Sequence, residues 1–336
     1  MTGAACDDMA VMHLRLIVPP DRSARVLDTL LSDPRVTSIV RLADAARRPA
    51  GDVIECDVTR EATSDILGFL KAEGLYDEGS VALTEVHSAP SRNARETEKA
   101  APGAPDDAVI WDAVVDRAYN EASGSWVYYV FLTLATMIAA VAVITDSAIL
   151  VVGAMVVGPE FAAVAAVAVG IALGHPGLVW RATRLLVLGF VLAIALTAIA
   201  ALLARAVGWI DVGNVTADRP LTGFIWRPDR WSAVVAVLAG CAGVLSQTAG
   251  KSHALVGVFI SVTTVPAAGD LALSIALWAP HHIGGAAAQL GINLVGMTIA
   301  GVITLLLQRL IWRTYLKVKR GEAGAPDSLR PKIRGL

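Results

Sequence analysis

ILVVGAMVVGPEFAAVAAVAVGIAL, Ile149 to Leu173, is apolar throughout except at Glu160, which directly follows Gly158-Pro159. A bilayer core needs about 20 apolar residues from a spanning helix, so the stretch is long enough to cross. Proline removes a backbone donor and disfavours helix at the residue before it, so the crossing should break near its middle. A carboxylate at that depth is costly unless it lines a cavity or meets a partner. The pattern recurs at Ala254 to Trp278, where Pro266-Ala-Ala-Gly-Asp270 interrupts a second apolar run. Two interrupted spans, each with an acid after its proline, point to a polytopic membrane protein with a polar site near the midplane.

Composition agrees. The 336 residues are 55% hydrophobic and 17% charged, with a mean hydropathy of +0.59, whereas soluble domains are about 25% charged. The charges gather in the first 120 residues, while 126–180 hold only Asp146 and Glu160. A net charge of -2 and the lack of a basic-aromatic array exclude a nucleic-acid partner. Cys6, Cys56 and Cys241 have no metal-ligand spacing, and Asp7-Asp8 near the start excludes a signal peptide.

The head, residues 1–90, reads β-α-β-β-α-β. Strands are expected at Met12–Val18, Val36–Leu42, Asp52–Val58 and Ser80–Val86. Helices are expected at Arg22–Leu31, with Asp21 as N-cap and Asp33-Pro34 as stop, and at Glu61–Glu73. Ala43–Gly51 reads as a turn. This order fits a ferredoxin-like sandwich, a module that often binds small ligands or self-associates. Residues 91–124 comprise a linker of Ala/Pro/Gly/charged composition (Pro90–Asp107) and an amphipathic coupling helix (Ile110–Ala122).

A membrane domain, 125–312, follows. Six spans are expected: Trp126–Ile144, Ala148–Leu173, Leu185–Val207, Trp231–Thr248, Ala254–Trp278 and Gly285–Ile311. The second and fifth either cross or re-enter. Trp126, Tyr128, Tyr129, Trp180, Trp209, Trp226, Trp231, Trp278 and Trp312 fall near span ends, as an aromatic belt does. Arg181, Arg184, Lys251 and the basic tail at 313–336 lie on one side, which puts both termini in the cytoplasm of a cell-membrane protein. Arg219, Arg227 and Arg230 run against that rule, diluted by Asp211, Asp218 and Asp229. Spans one to three and four to six form a candidate inverted repeat, each triplet with an interrupted middle member.

The candidate site comprises Glu160, Asp270, Pro159, Pro266, Gly158, Asp146, Ser147 and Asn293. Glu160 sits where a half-helix N-terminus would favour a carboxylate. It reads either as a proton- or cation-binding group or as a cap or subunit contact. Asp270 has Thr263, Thr264 and Gly269 nearby as polar lining. Asp146-Ser147 reads as the N-cap of the second span. Gln289 and Asn293 share a face of the sixth and should hydrogen-bond a neighbouring helix. His281-His282 read as interfacial. Gly153, Gly158, Gly170 and Gly174 permit close packing, the last two as a GxxxG pair. Gly250-Lys251-Ser252 is no phosphate loop, since Leu245 stands where a glycine is required. No nucleophile, metal or dinucleotide signature points to an enzyme, and no cofactor is indicated.

DSAILVVGAMVVGPE, Asp146 to Glu160, resembles the signature of the DUF389 hydrophobic-domain family. Its usual form is a serine, apolar residues, Gly-Ala-Met, then a proline and a small apolar stretch. The similarity covers roughly Trp111 to Ile311 and includes the Asn293 region. Many relatives carry Ser/Ala-Pro-Leu-Met where this chain has Gly158-Pro159-Glu160, so Glu160 marks a subgroup. The resemblance implies a membrane domain and names no activity.

The expectation is a mainly α polytopic membrane protein with an N-terminal α+β ferredoxin-like cytoplasmic domain, assembled as a homo-oligomer in the lipid bilayer. Its function is transport or conduction of a small ion or solute, regulated by a small ligand at the head. The alternative is a non-transporting receptor or scaffold that binds a nucleotide or amino acid through the head.

Overall fold

A computed structural model of the protein describes residues 11–86, 89, 91–101, 108–249 and 263–322. The expectations for Cys6, for Asp7-Asp8, for Gly250-Lys251-Ser252, for the first half of the fifth span and for the tail beyond Glu322 lie outside the described residues. The chain divides into two compact units, Val114–Leu310 forming one and the residues before it, with those from Ile311, the other.

The first unit contains a four-stranded antiparallel sheet of β1 (Val11–Val18), β2 (Val36–Arg47), β3 (Ala50–Thr59) and β4 (Ser80–Val86), in the order β2-β3-β1-β4. Leu14, Leu16 and Val18 alternate with outward residues on β1. They meet Ile54, Cys56 and Val58 of β3 in one core, with Val26 and Leu30 of α1 (Pro20–Ser32) and Ile66, Leu67 and Leu70 of α2 (Arg60–Ala72). Burial pushes the Cys56 thiol up to about 12, so it is an inert core side chain. On the opposite face His13 pairs with Asp57 at 2.9 Å and Arg15 with Glu55 at 3.8 Å, residues that are cross-strand partners.

Three local expectations are corrected here. Asp21 is not the cap of α1. Pro19 takes that position and Asp21 lies in the first turn, where its charge suits the helix dipole. Ala43–Gly51 is not an open turn: β2 continues to Arg47 and β3 begins at Ala50. Register shifts after Thr37 and Leu42 absorb the extra residues, with Ser38 (φ 55°) and Asp44 (φ 50°) left-handed. Asp52 holds this irregular stretch. Its carboxylate accepts from the Ser23 hydroxyl, from the Asp44 N–H at 2.8 Å and from Arg41 at 2.7 Å, and these bonds lower it to about 2. Finally, the expected linker contains a helix, α4 (Arg92–Ala100), which follows the single turn α3 (Leu75–Glu78) and β4. Ser91 caps α4 by accepting from the Ala94 N–H at 3.1 Å, and the helix lies against β2 and β3. Residues 108–110 are tied to α2, whose Arg60 and Ser64 donate to the carbonyls of Ala108 (3.0 Å) and Val109 (3.2 Å).

Helix α5 (Trp111–Glu121) leads into the second unit, a body of apolar helices. These are α6 (Trp126–Ile144), α7 (Ala148–Val157), α8 (Glu160–Leu173), α9 (Pro176–Ala206), the short α10 (Val212–Thr216), α11 (Arg230–Thr248), α12 (Thr264–Ala276) and α13 (Pro280–Glu322). Among the described residues four helices are long and apolar enough to cross a membrane, and the α7–α8 pair, bent by 53°, makes up to five. Of the fifth expected span only α12 is described. Pro266 sits in the first turn of α12, where a missing N–H costs nothing, and α12 itself runs on through Gly269-Asp270. The third span starts at Pro176, earlier than expected, so Arg181 and Arg184 are helical.

Side chains in the body sort by size. Branched residues such as Val187, Val191, Ile299, Ile303 and Leu306 are exposed, while Ala135, Ala139, Ala163, Ala166 and Ala193 are buried. That is the order expected where lipid solvates the outside and packing alone holds the inside. Glycines set the closest approaches. A Cβ on Gly269 would lie 2.8 Å from the Ala139 Cβ and Ala140 N of α6, and one on Gly240 would lie 2.6 Å from the Met297 carbonyl oxygen of α13. A Cβ on Gly170 would lie 3.0 Å from the Val179 N of α9. Its GxxxG partner Gly174 instead takes the left-handed turn (φ 75°) that ends α8, and Gly153 packs against nothing. Helix α12 lies against α6 and α9, while α8 packs mainly on α9, touches α11 and meets α13 where Gly301 faces Ala168.

Candidate functional site

The break between α7 and α8 follows from Gly158-Pro159. Gly158 is extended (φ -69°, ψ 126°), as a residue before proline prefers, and Pro159 takes the N-cap position. The last carbonyls of α7 and the first N–H groups of α8 are thereby left without helical partners. Glu160 is the first residue of α8 and is 7% exposed. Its side chain folds back over Gly158 towards its own backbone N–H, and its Oε2 has no partner among the described residues. A Cβ on Gly158 would overlap that carboxylate and stand 2.7 Å from Val265 Cγ2, so glycine is required here for space.

Val265 is the second residue of α12. The N-termini of α8 and α12 therefore meet at Glu160. Thr263, at the N-cap position of α12, does not cap its helix. Its hydroxyl accepts instead from Gln289 Nε2 at 2.9 Å and from Asn293 Nδ2 at 3.1 Å, both on α13. This bears out the expectation that the two amides bond a neighbouring helix. The Thr264 hydroxyl and Gln289 Oε1 remain buried and unpaired beside it. Tyr128 on α6, whose hydroxyl is also buried without a partner, lies within electrostatic range of the Glu160 carboxylate. Unpaired buried oxygens cost free energy, and several of them converge on one helix break.

Asp270 belongs to a different cluster. It is fully buried, and its Oδ1 accepts from Arg219 Nη1 at 2.7 Å. Arg219 Nη2 bonds His282 Nδ1 at 3.1 Å, and the His282 ring stacks on Trp226 at 3.9 Å between centroids. Arg227 covers the Trp226 ring at 4.4 Å. Asp270 is thus not open pathway lining, as expected, but one partner of a buried ion pair. Of Asp146-Ser147, the pair expected to cap α7, it is Ser147 that does so, accepting from the Leu150 N–H at 3.4 Å. Asp146, left-handed at φ 45°, accepts from the Thr222 N–H (2.9 Å), the Thr222 hydroxyl (2.8 Å) and the Leu221 N–H (3.3 Å). It fixes the connection between α9 and α11, the segment that carries Arg219 and Trp226.

Of the expected site residues, Glu160, Gly158, Pro159 and Asn293 gather at the helix break, with Thr263 and Thr264 joining them rather than Asp270. Pro266 lies in the adjoining first turn of α12, and Asp146, Ser147 and Asp270 serve the second cluster. Sequence reasoning missed Arg219, Thr222, Trp226 and His282 as interior partners. The available signal was an arginine that broke the charge rule for its connection. No group of three or more His, Cys, Asp or Glu side chains converges among the described residues.

Residues 155–299, which contain the helix-break cluster except Tyr128 and most of the second, match the family model described as Domain of unknown function (DUF389). No curated protein and no solved structure matches the chain.

Proposed function

With the body of this chain carrying a DUF389 domain over residues 155–299, we propose that it is a multi-pass transporter or channel for a small ion or solute. In this reading the pathway passes the meeting point of α8 and α12, and Glu160 is the group that binds the moving species or its coupling ion. One observation carries it: a carboxylate that is 7% exposed and lacks a partner at Oε2, set where α8 and α12 begin. Discontinuous helices in membrane bodies place backbone dipoles at binding sites, and intramembrane acids mark ion pathways. The contacts of α12 with α6 and α9, and the smaller ones of α8 with α11 and α13, support reading the body as inverted repeats of three spans.

The strand order β2-β3-β1-β4, with two helices packed into one core, supports a ferredoxin-like head acting as a regulatory ligand sensor. The reading further places the protein in the cell membrane as a homo-oligomer, with both termini cytoplasmic. Asp270 enters only as the ion pair that holds the α9–α11 connection.

The test is Glu160→Gln in reconstituted vesicles. Flux of the transported species, or its pH dependence, should change while size exclusion in detergent shows the same assembly. Unchanged flux removes Glu160 from the mechanism. A collapsed oligomer instead favours the receptor or scaffold, in which Glu160 is a structural contact.

A further inference from the structure

We infer that the helix break is a binding site for a small monovalent cation of the sodium class, held by Glu160 Oε2, Gln289 Oε1 and the Thr264 hydroxyl. The inference rests on the reading of Glu160 as a pathway group and gives that group its ligand.

The unpaired atoms carry the argument. Glu160, Thr264 and Gln289 are 7%, 0% and 2% exposed, and each leaves an oxygen without a hydrogen-bond partner. Two of these oxygens, on the carboxylate and the amide, can only accept, so they call for a donor or a cation. A chain of contacts links the residues that carry them: Gln289 bonds Thr263, Thr264 follows Thr263, and Val265 packs against the Gly158 over which Glu160 folds. Three separate helices, α8, α12 and α13, therefore each contribute one oxygen.

Charge decides the sign and valence. Each half-helix N-terminus acts as roughly +0.5 charge and the C-terminus of α7 as roughly -0.5. The described helix ends thus offset only part of the single negative charge of Glu160. An anion would have to displace the carboxylate from the N-termini. A divalent ion would be left under-neutralised, since the other buried acid of the body, Asp270, is already paired with Arg219. A lone proton needs the carboxylate but not the amide and hydroxyl oxygens. A weakly hydrated or dehydrated alkali ion uses all three, as hard cations take oxygen ligands.

The experiment is a thermal-stability titration of the purified full-length protein in detergent with NaCl, LiCl, KCl and choline chloride at constant ionic strength. Saturable stabilisation by Na⁺ over choline is expected. Glu160→Gln should abolish it. Gln289→Ala and Thr264→Val should raise the half-maximal Na⁺ concentration about tenfold or more, and Thr264→Ser, which keeps the oxygen, should restore it. The variants are compared at equal monodispersity, and Thr264→Ser against Thr264→Val separates a lost ligand from a damaged fold. Equal stabilisation by choline, or a Na⁺ response unaltered in Glu160→Gln and Gln289→Ala, overturns the inference. So does a response that follows the anion when chloride is exchanged for gluconate. Vesicle flux that depends on Glu160 but not on Na⁺ overturns the cation site and leaves the transport reading standing. Na⁺ binding without any flux does the reverse.

Discussion

Arg219 and Asp270 show how a single residue can be misread when only its neighbours in sequence are known. Asp270 is visible as an acid in an apolar run, but its partner lies 51 positions earlier in a connection rich in both charges. Nothing local distinguishes Arg219 from Arg227 or Arg230. Only the fold shows that it is 5% exposed and enclosed. A buried pair of this kind contributes little by existing and a great deal by staying whole, because removing one partner strands the other charge. Arg219→Met should destabilise the body by about 3–5 kcal/mol. Combining it with Asp270→Asn should recover most of that loss. Thermal unfolding of the single and double variants in detergent checks this, and equal losses in both would show that the pair is not coupled. Glu160 contrasts with Asp270 throughout: its exceptional position was legible because Gly158 and Pro159 act on the residue beside them.

Among the elements, those whose shape is set by short-range chemistry were readable. The α7–α8 break follows from one proline and the glycine before it, and the head strands follow from alternation. Pro266 stands in the first turn of α12, where proline leaves the hydrogen-bond ladder whole, unlike proline in a helix interior, and the two look alike in sequence. Ala43–Gly51 misled because small and charged residues suit a bulged strand as well as a turn, and the bonds to Asp52 decide between them. The glycines give an element-level prediction. Gly269→Val places a branched side chain where a Cβ already stands 2.8 Å from Ala139 and Ala140, and should push α12 off α6. Gly153→Ala meets nothing within 4 Å on α7 and should be neutral or stabilising by up to about 1 kcal/mol. Detergent melting temperatures and yields of monodisperse protein compare the two. A tolerated Gly269→Val would refute the close α6–α12 contact.

For the whole molecule, the head-and-body plan was legible from where the charges lie, whereas the packing of α12 on α6 and α9 was not, since it depends on helix contacts that composition does not encode. Helix α9 has 31 residues, about 46 Å at 1.5 Å per residue, longer than a bilayer core of about 30 Å. Arg181 near its start and Asp218 beyond its end should therefore face opposite aqueous phases. Introduced singly into a cysteine-free chain, Arg181→Cys and Asp218→Cys should react with a membrane-impermeant maleimide from opposite sides of sealed vesicles. Labelling from one side would mean that α9 does not cross. The Asp146 and Arg219 contacts also bear on biosynthesis. Asp146 waits 75 residues for Leu221, and Arg219 waits 63 for His282. Until the ribosome has passed Asp270, 51 residues on, the growing chain carries an arginine with no interior partner, and until it has passed His282 the latch is incomplete, so it cannot close on a truncated product. The order of synthesis makes it a check of completeness, separating a finished body from one still waiting for its second half.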